Sequence, residues 1–328
     1  MAHFIDFVVN NWLLVAFMAP LFWSLVNIID VYFVGSIYKD EMEGVIISGV
    51  FQIIPWAIII LAAGVDLPSL ISKAFWDGLG VTMLFSLVGG IFFLVSFYFY
   101  FKALFKKNDA PMLQVLWNLT VVVVPLLAFL IFNEVLPFRS YAGLLAVILG
   151  ATMLSLNPGT RLAFSGGYLR IMAGAIFFMS LSMIFEEGAY NQLGATLGPQ
   201  GFWLGFSGFC WGALVVAILF LLISRRNVGH LIHDYWKVFL LSEGIYFLGN
   251  LASQRALDIS PSPSYVAAIE PFVSVFVLVY SLLIINFLSG FWPARAEEIK
   301  EIYLGQVTGM GTKILATLIM AAGIYLIY

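Results

Sequence analysis

Long unbroken apolar runs alternate along this chain with short connectors that hold most of its charge. A helix needs about 20 apolar residues to cross about 30 Å of hydrocarbon. Ten such runs are present: residues 12–34, 45–64, 77–104, 110–132, 138–156, 168–189, 201–223, 237–256, 262–287 and 310–328. Runs such as VVVVPLLAFLIF are continuous, whereas a membrane barrel strand alternates polar and apolar positions over about ten residues. The pattern therefore predicts an all-α integral membrane protein with ten transmembrane helices. Its softest boundary is the end of the second run, where AAGVDLPS interrupts the apolar stretch; nine or eleven spans are the alternatives. The segment MAHFIDFVVNNW lacks a cationic start, and the apolar run after it is too long for a signal peptide.

The runs repeat. ALFKKNDAPMLQVLWNLTVVVV, from Ala103, lies over ALDISPSPSYVAAIEPFVSVFV, from Ala256, at an offset of 153. Lys102 then falls on Arg255, Asn118 on Pro271 and Asn133 on Asn286. FWSLVNIID, residues 22–30, lies over FMSLSMIFE, residues 178–186, at an offset of 156, which sets Asp30 on Glu186. In the last spans Gly143 and Gly150 match Ala316 and Gly323 at an offset of 173. Three similarities in one order point to two five-helix repeats, residues 1–157 and 158–328. A unit of five spans starts its second copy on the opposite membrane face, so the halves are expected to be inverted relative to one another. Such pairs place a binding site between the halves, near the bilayer midplane.

Composition agrees: 62% of the 328 residues are hydrophobic and 10% charged, against about 25% charged in soluble domains. That excludes a soluble enzyme or a disordered chain. A net charge of -3 offers no basic patch for nucleic acid. One cysteine, Cys210, cannot form an internal disulfide.

The few ionisable residues inside spans therefore need explaining, since each costs about 2.5–3.5 kcal/mol on insertion scales. A long Lys or Arg at a helix end can reach the interface, and that reading and a site role share Lys102 and Arg255 about equally. A short carboxylate cannot reach so far. Asp30, Glu186 and Glu270 are thus the candidates for a wet cavity, while Glu243 reads as a carboxylate near the interface. Pro271 breaks the ninth span beside Glu270, and Pro125 sits in the fourth; both are hinge candidates. Trp23 and Trp117 lie within spans beside Asn27 and Asn118, and Tyr246 and Asn250 share one helix face. These complete the candidate substrate-binding or coupling set. The glycine pairs read as close helix packing.

The run FYFYFKALFKKNDAPMLQVLWNLTVVVVPLLAFLIFNEVLPFRSYAGLLAVILGATMLSL, with SQRALDIS and AIEPFVSVFVLVYSLLI in the second half, resembles the drug/metabolite transporter superfamily, specifically its EamA-type members. The shared features are an aromatic-Ala-Leu helix end, a Pro-bearing fourth span, a turn at Asn133–Glu134, a Gly-x6-Gly fifth span and the Glu270–Pro271 pair. The resemblance covers nearly the whole chain. It implies ten helices in two repeats and export of amino acids, drugs or other metabolites, often driven by protons. Asn118 departs from the family's proline in span four, Phe287 stands where the second turn glutamate would be, and the 288–309 connector is long, with an amphipathic stretch AEEIKEIYLGQV.

The expected protein is a secondary transporter, an exporter, of a small amphipathic metabolite. Its cavity is expected between spans 1, 3, 4 and 6, 8, 9. It needs no cofactor or metal, and its partners are the small-molecule substrate, the lipid bilayer and protons if coupling is acid-based. The chain itself works as a monomer or homodimer. The runner-up is a carrier of lipid or lipid-linked substrates. An intramembrane serine protease is the weakest alternative: GFSG offers Ser207, but His3, His230 and His233 lie outside the spans. The HxxHD run at His230, His233 and Asp234 reads as a solvated loop.

Twelve of the fifteen Lys and Arg residues fall in connectors on one side of the expected topology, leaving Lys73, Arg139 and Arg255 on the other. The positive-inside rule places the crowded side in the cytoplasm and both termini outside the cell (inner) membrane, against the orientation usual for the family. A cysteine introduced at position 2 is therefore expected to react with an impermeant reagent added outside intact cells, and one at position 297 is not. Labelling at 297 but not at 2 reverses the orientation.

Overall fold

The computed structural model describes residues 10–107, 110–156, 165–288 and 309–328. The amphipathic stretch 296–307 lies outside them. The chain is a multi-pass, all-helical membrane protein. Among the described residues, nine segments are long and apolar enough to cross a bilayer: Trp12–Ser36, Glu41–Leu61, Gly80–Lys106, Leu113–Phe132, Phe138–Ser155, Gly166–Leu197, Pro199–Ser224, Pro263–Asn286 and Met310–Ile327. The sequence pattern predicts a tenth at 237–256. That segment lies within a 31-residue helix, Gly229–Ile259, long enough to cross at 1.5 Å per residue. Glu243, Asn250, Gln254 and Arg255 make it too polar to count on composition.

In chain order the helices are α1 (Trp12–Ser36), α2 (Glu41–Val50), α3 (Ile53–Leu61), α4 (Leu67–Trp76), α5 (Gly80–Lys107), α6 (Ala110–Trp117), α7 (Thr120–Phe132) and α8 (Phe138–Ser155). They continue with α9 (Gly166–Leu197), α10 (Pro199–Ser224), α11 (Gly229–Ile259), α12 (Pro263–Ile269), α13 (Val273–Leu283) and α14 (Met310–Ile327). The soft boundary at AAGVDLPS resolves as α4, a ten-residue helix capped by Asp66 and too short to span. Its neighbour α2 starts on a reciprocal cap. Asp40 accepts from the Met42 and Glu43 amides, while Glu43 reaches back to the Lys39 amide at 2.8 Å.

Three spans are broken. Phe51 and Gln52 separate α2 from α3, Asn118 and Leu119 separate α6 from α7, and a 3₁₀ turn at Glu270–Phe272 separates α12 from α13. The last break follows from Pro271, which has no amide to donate. At the fourth span's end, Asn133 adopts the left-handed conformation, φ 53°, and its amide caps α7 on the Ala128 carbonyl. Helix α11 is itself kinked at Tyr235, which splits a short leading turn from the long buried portion.

The largest helix interfaces are α5 with α9, α5 with α10, α1 with α11, and α8 with α14. Small residues permit the closest of these, since lipid tails compete with any apolar side chain and only tight packing favours association. A Cβ on Gly143 would lie 2.5 Å from the Gly323 carbonyl oxygen, and one on Gly150 would lie 2.6 Å from that of Ala316. The α8 and α14 backbones therefore touch along the matched glycine positions. Outside, Leu61, Ile223, Leu130 and Phe138 are exposed, as residues facing lipid tails must be.

Replacing Gly143 by Leu is expected to cost about 1–3 kcal/mol through overpacking, read as a lower unfolding midpoint of the purified protein in detergent. Gly311→Leu, on the same helix pair but with nothing within 4 Å of its Cβ position, is expected to leave the midpoint in place.

Candidate functional site

A partly open cavity lies among the helices, with about 580 Å³ of empty space when its open mouth is included. From α1 it takes Trp23, Val26, Asn27 and Asp30, which recur at helical spacing on one face. From α5 come Phe93, Phe97 and Tyr100, again at spacings of four and three. Gln114 and Trp117 on α6, Met179 on α9 and Tyr246 on α11 close the sides. Glu270 and Val273, on either side of the Pro271 break, complete the wall.

The cavity is elongated, and its acids stand at opposite ends. Helices α1 and α12–α13 run in the same direction: Trp12 stacks on Tyr265 at 6.0 Å, Phe17 meets Phe272 at 4.9 Å, and the Tyr280 hydroxyl donates to the Leu21 carbonyl at 3.2 Å. Glu270 is thus near the level of Phe17, and Asp30 is thirteen residues further along α1. At 1.5 Å per residue their levels differ by on the order of 15–20 Å. Helix α11 runs the other way against α1. Gly249 receives the Trp23 ring, with a Cβ there only 2.5 Å from Trp23 Cδ1. Six residues earlier on α11, Glu243 comes level with Asp30.

Neither lining carboxylate has a protein partner. Asp30 is 7% exposed and has no hydrogen bond among the described residues, and Glu270 is 4% exposed with both oxygens unpaired among them. Glu243 is also buried, where the sequence suggests an interfacial position; Ser48 is its hydrogen-bond donor, at 3.5 Å. Beyond Asp30, the rings of Phe33, Tyr38, Phe101 and Phe239 pack together, Phe33 lying 5.4 Å from Tyr38 and 5.1 Å from Phe239. All four are buried. Above this plug an ion pair between Asp40 and Arg226 ties the α1–α2 connector to the α10–α11 connector.

Of the residues singled out in the sequence, Trp23, Asn27, Asp30, Trp117, Tyr246 and Glu270 meet in this cavity. The others stand elsewhere. Glu186, wholly buried, turns to α5, where Ser86 donates to it at 3.2 Å and Gly89 leaves the space its carboxylate fills. Nearby, Tyr190 donates to Gln254 at 2.7 Å. Asn118 sits at the α6–α7 break and accepts from Gln114 at 3.0 Å. Asn250 is buried one turn beyond Tyr246. Lys102 lies along its own helix, over the Tyr98 ring and 3.0 Å from the Tyr98 hydroxyl. Arg255 pairs with Asp258 and covers the Phe202 ring. Pro125 is buried inside α7, which runs on through it. Ser207 is buried in α10, and His230 and His233 engage the Asn227 carbonyl and Asp234 at the start of α11.

The sequence reading omits Phe93, Phe97 and Tyr100, although their spacing marks one helix face. In a span rich in Phe and Tyr throughout, that face has no contrast. The Tyr100 hydroxyl donates to Asn27 at 3.4 Å, which joins α5 to α1 across the cavity.

No protein-family model matches the chain, and no curated protein matches it either. Among solved structures, a crystal structure described only as that of a protein superposes with a TM-score of 0.60. It covers 95% of this chain and 94% of its own, at 18% identity. The likeness therefore extends over the whole fold and concerns the fold alone.

Water in the cavity has a direct test. Asn27→Cys is expected to react with a water-soluble methanethiosulfonate reagent, whereas the native Cys210, buried in α10, stays unlabelled. Equal, slow reaction at both positions means that water does not reach the cavity.

Proposed function

We propose that this protein is a secondary transporter of a small amphipathic solute, working by alternating access around the cavity between α1, α5, α6, α9, α11 and α12–α13. The observation that carries the reading is the pair of buried carboxylates, Asp30 and Glu270, that line one cavity inside a lipid-spanning bundle, without an ion-pair partner among the described residues. Such acids are costly in a bundle that only packs, and useful in one that passes a proton or a charged solute.

Two further features support it. The repeat offsets relate Trp23 to Met179, Phe93 to Tyr246, and Trp117 to Glu270, and both members of each pair line the cavity. Under the same exchange, the α1–α11 interface corresponds to α5–α9, and α8–α14 to itself. This is the arrangement expected of two inverted five-helix repeats. Helix breaks at Asn118 and at Pro271, also related by the repeat, flank the site, as unwound segments do in transporters with midplane binding sites. The EamA-type resemblance points to the same class.

The aromatic plug and the Asp40–Arg226 pair close the Asp30 end of the cavity, so alternation requires both to part. Substrate exchange then follows rocking of one half against the other.

In proteoliposomes with an imposed pH gradient, uptake from a panel of labelled amino acids and aromatic amines is expected to fall by about tenfold, equivalent to about 1.4 kcal/mol, in Asp30→Asn and in Glu270→Gln. Full flux in both variants removes the carboxylates from the mechanism. Absence of protein-dependent flux for every solute, with folding shown by an unchanged thermal midpoint, argues against transport.

A further inference from the structure

We infer that the cavity takes an amphipathic organic cation, one with an ammonium group at its Asp30 end and an aromatic or alkyl body along the α5 wall. This rests on the transporter reading for its purpose and deepens it by naming the solute class; its chemistry comes from the cavity alone.

The charge inventory is one-sided. Asp30 and Glu270 line the cavity, and Glu243 on α11 stands level with Asp30. Among the described residues lining the cavity none is Lys, Arg or His. The cations singled out in the sequence are committed elsewhere, Lys102 to Tyr98 and Arg255 to Asp258. An anionic solute would meet two carboxylates and no counter-charge. A zwitterion would leave its carboxylate unpaired in a medium of low dielectric, at a cost of several kcal/mol.

The walls select the kind of cation. Tyr100 and Trp117 meet edge to face at 5.5 Å beside the Asp30 end, and Trp23 stands on the same α1 face as Asp30. Aromatic rings lining the same cavity as a carboxylate suit a weakly hydrated ammonium. Phe93 and Phe97, 4.8 Å apart, continue as an apolar wall toward Glu270. An inorganic cation is a poor fit. Ca²⁺ takes six to eight oxygen ligands, whereas the lining acids stand on the order of 15–20 Å apart by helix rise.

Calorimetric titration of the full chain in detergent with three ligands sharing one indole ring tests the inference: tryptamine (cation), N-acetyltryptamine (neutral) and indole-3-propionate (anion). Tryptamine is expected to bind, the neutral ligand at least about tenfold more weakly, and the anion not at all. Asp30→Asn is expected to lower tryptamine affinity by about tenfold and to close the gap to the neutral ligand. Glu270→Gln serves as the second variant, and the wild-type ligand series needs neither. Three results overturn the inference: no tryptamine binding, neutral or anionic binding equal to tryptamine's, or full tryptamine affinity in both variants. Asp30-dependent binding without flux sinks the transporter reading and leaves the solute class standing. Flux of an anion or zwitterion, with tryptamine ignored, does the opposite.

Discussion

A carboxylate inside a hydrocarbon layer has few options: it needs water, a counter-charge, a donor or a proton. In this protein the choice differs between acids, and the bundle is arranged around that difference. Glu186 and Glu243 each find a serine donor on a neighbouring helix. Asp30 and Glu270 find none and face a cavity instead.

The rest of the packing keeps that opening from collapsing or leaking. Backbone contact through Gly143, Gly150 and Gly323 binds α8 to α14 away from the site. Gly89 and Gly90 on α5 let α9 and α10 approach one turn before Phe93, on the side of the helix that carries Phe93, Phe97 and Tyr100. Along that side of α5 the small residues give close packing and the aromatic ones after them line the cavity. The breaks at Asn118 and Glu270–Pro271 fall where helices meet the cavity, where neighbours or water can satisfy the freed carbonyls.

The spans were legible because a lipid-facing helix has no polar alternative: nine of the ten apolar runs correspond to segments apolar enough to cross. The exception, α11, shows the limit of hydropathy. A helix surrounded by protein can carry Glu243, Asn250 and Gln254 on its buried side, and it loses apolar character as it gains internal partners. Within the site, Trp23, Asn27 and Asp30 could be read because they share a periodic face with one expensive residue. The partner of Glu243 could not be read from local pattern, because Ser48 lies 195 residues away.

The sequence by itself determined that this chain lives in a bilayer, which residues are too costly there to be incidental, and that the helix breaks at Pro271. Only the tertiary structure decided which of those residues meet. Asp30 and Glu186 fall on one another when the sequence is shifted by 156 residues, and composition treats them alike. One rotates toward the cavity and the other toward Ser86, since the packing of whole helices, and not the local pattern, sets the face each helix turns inward.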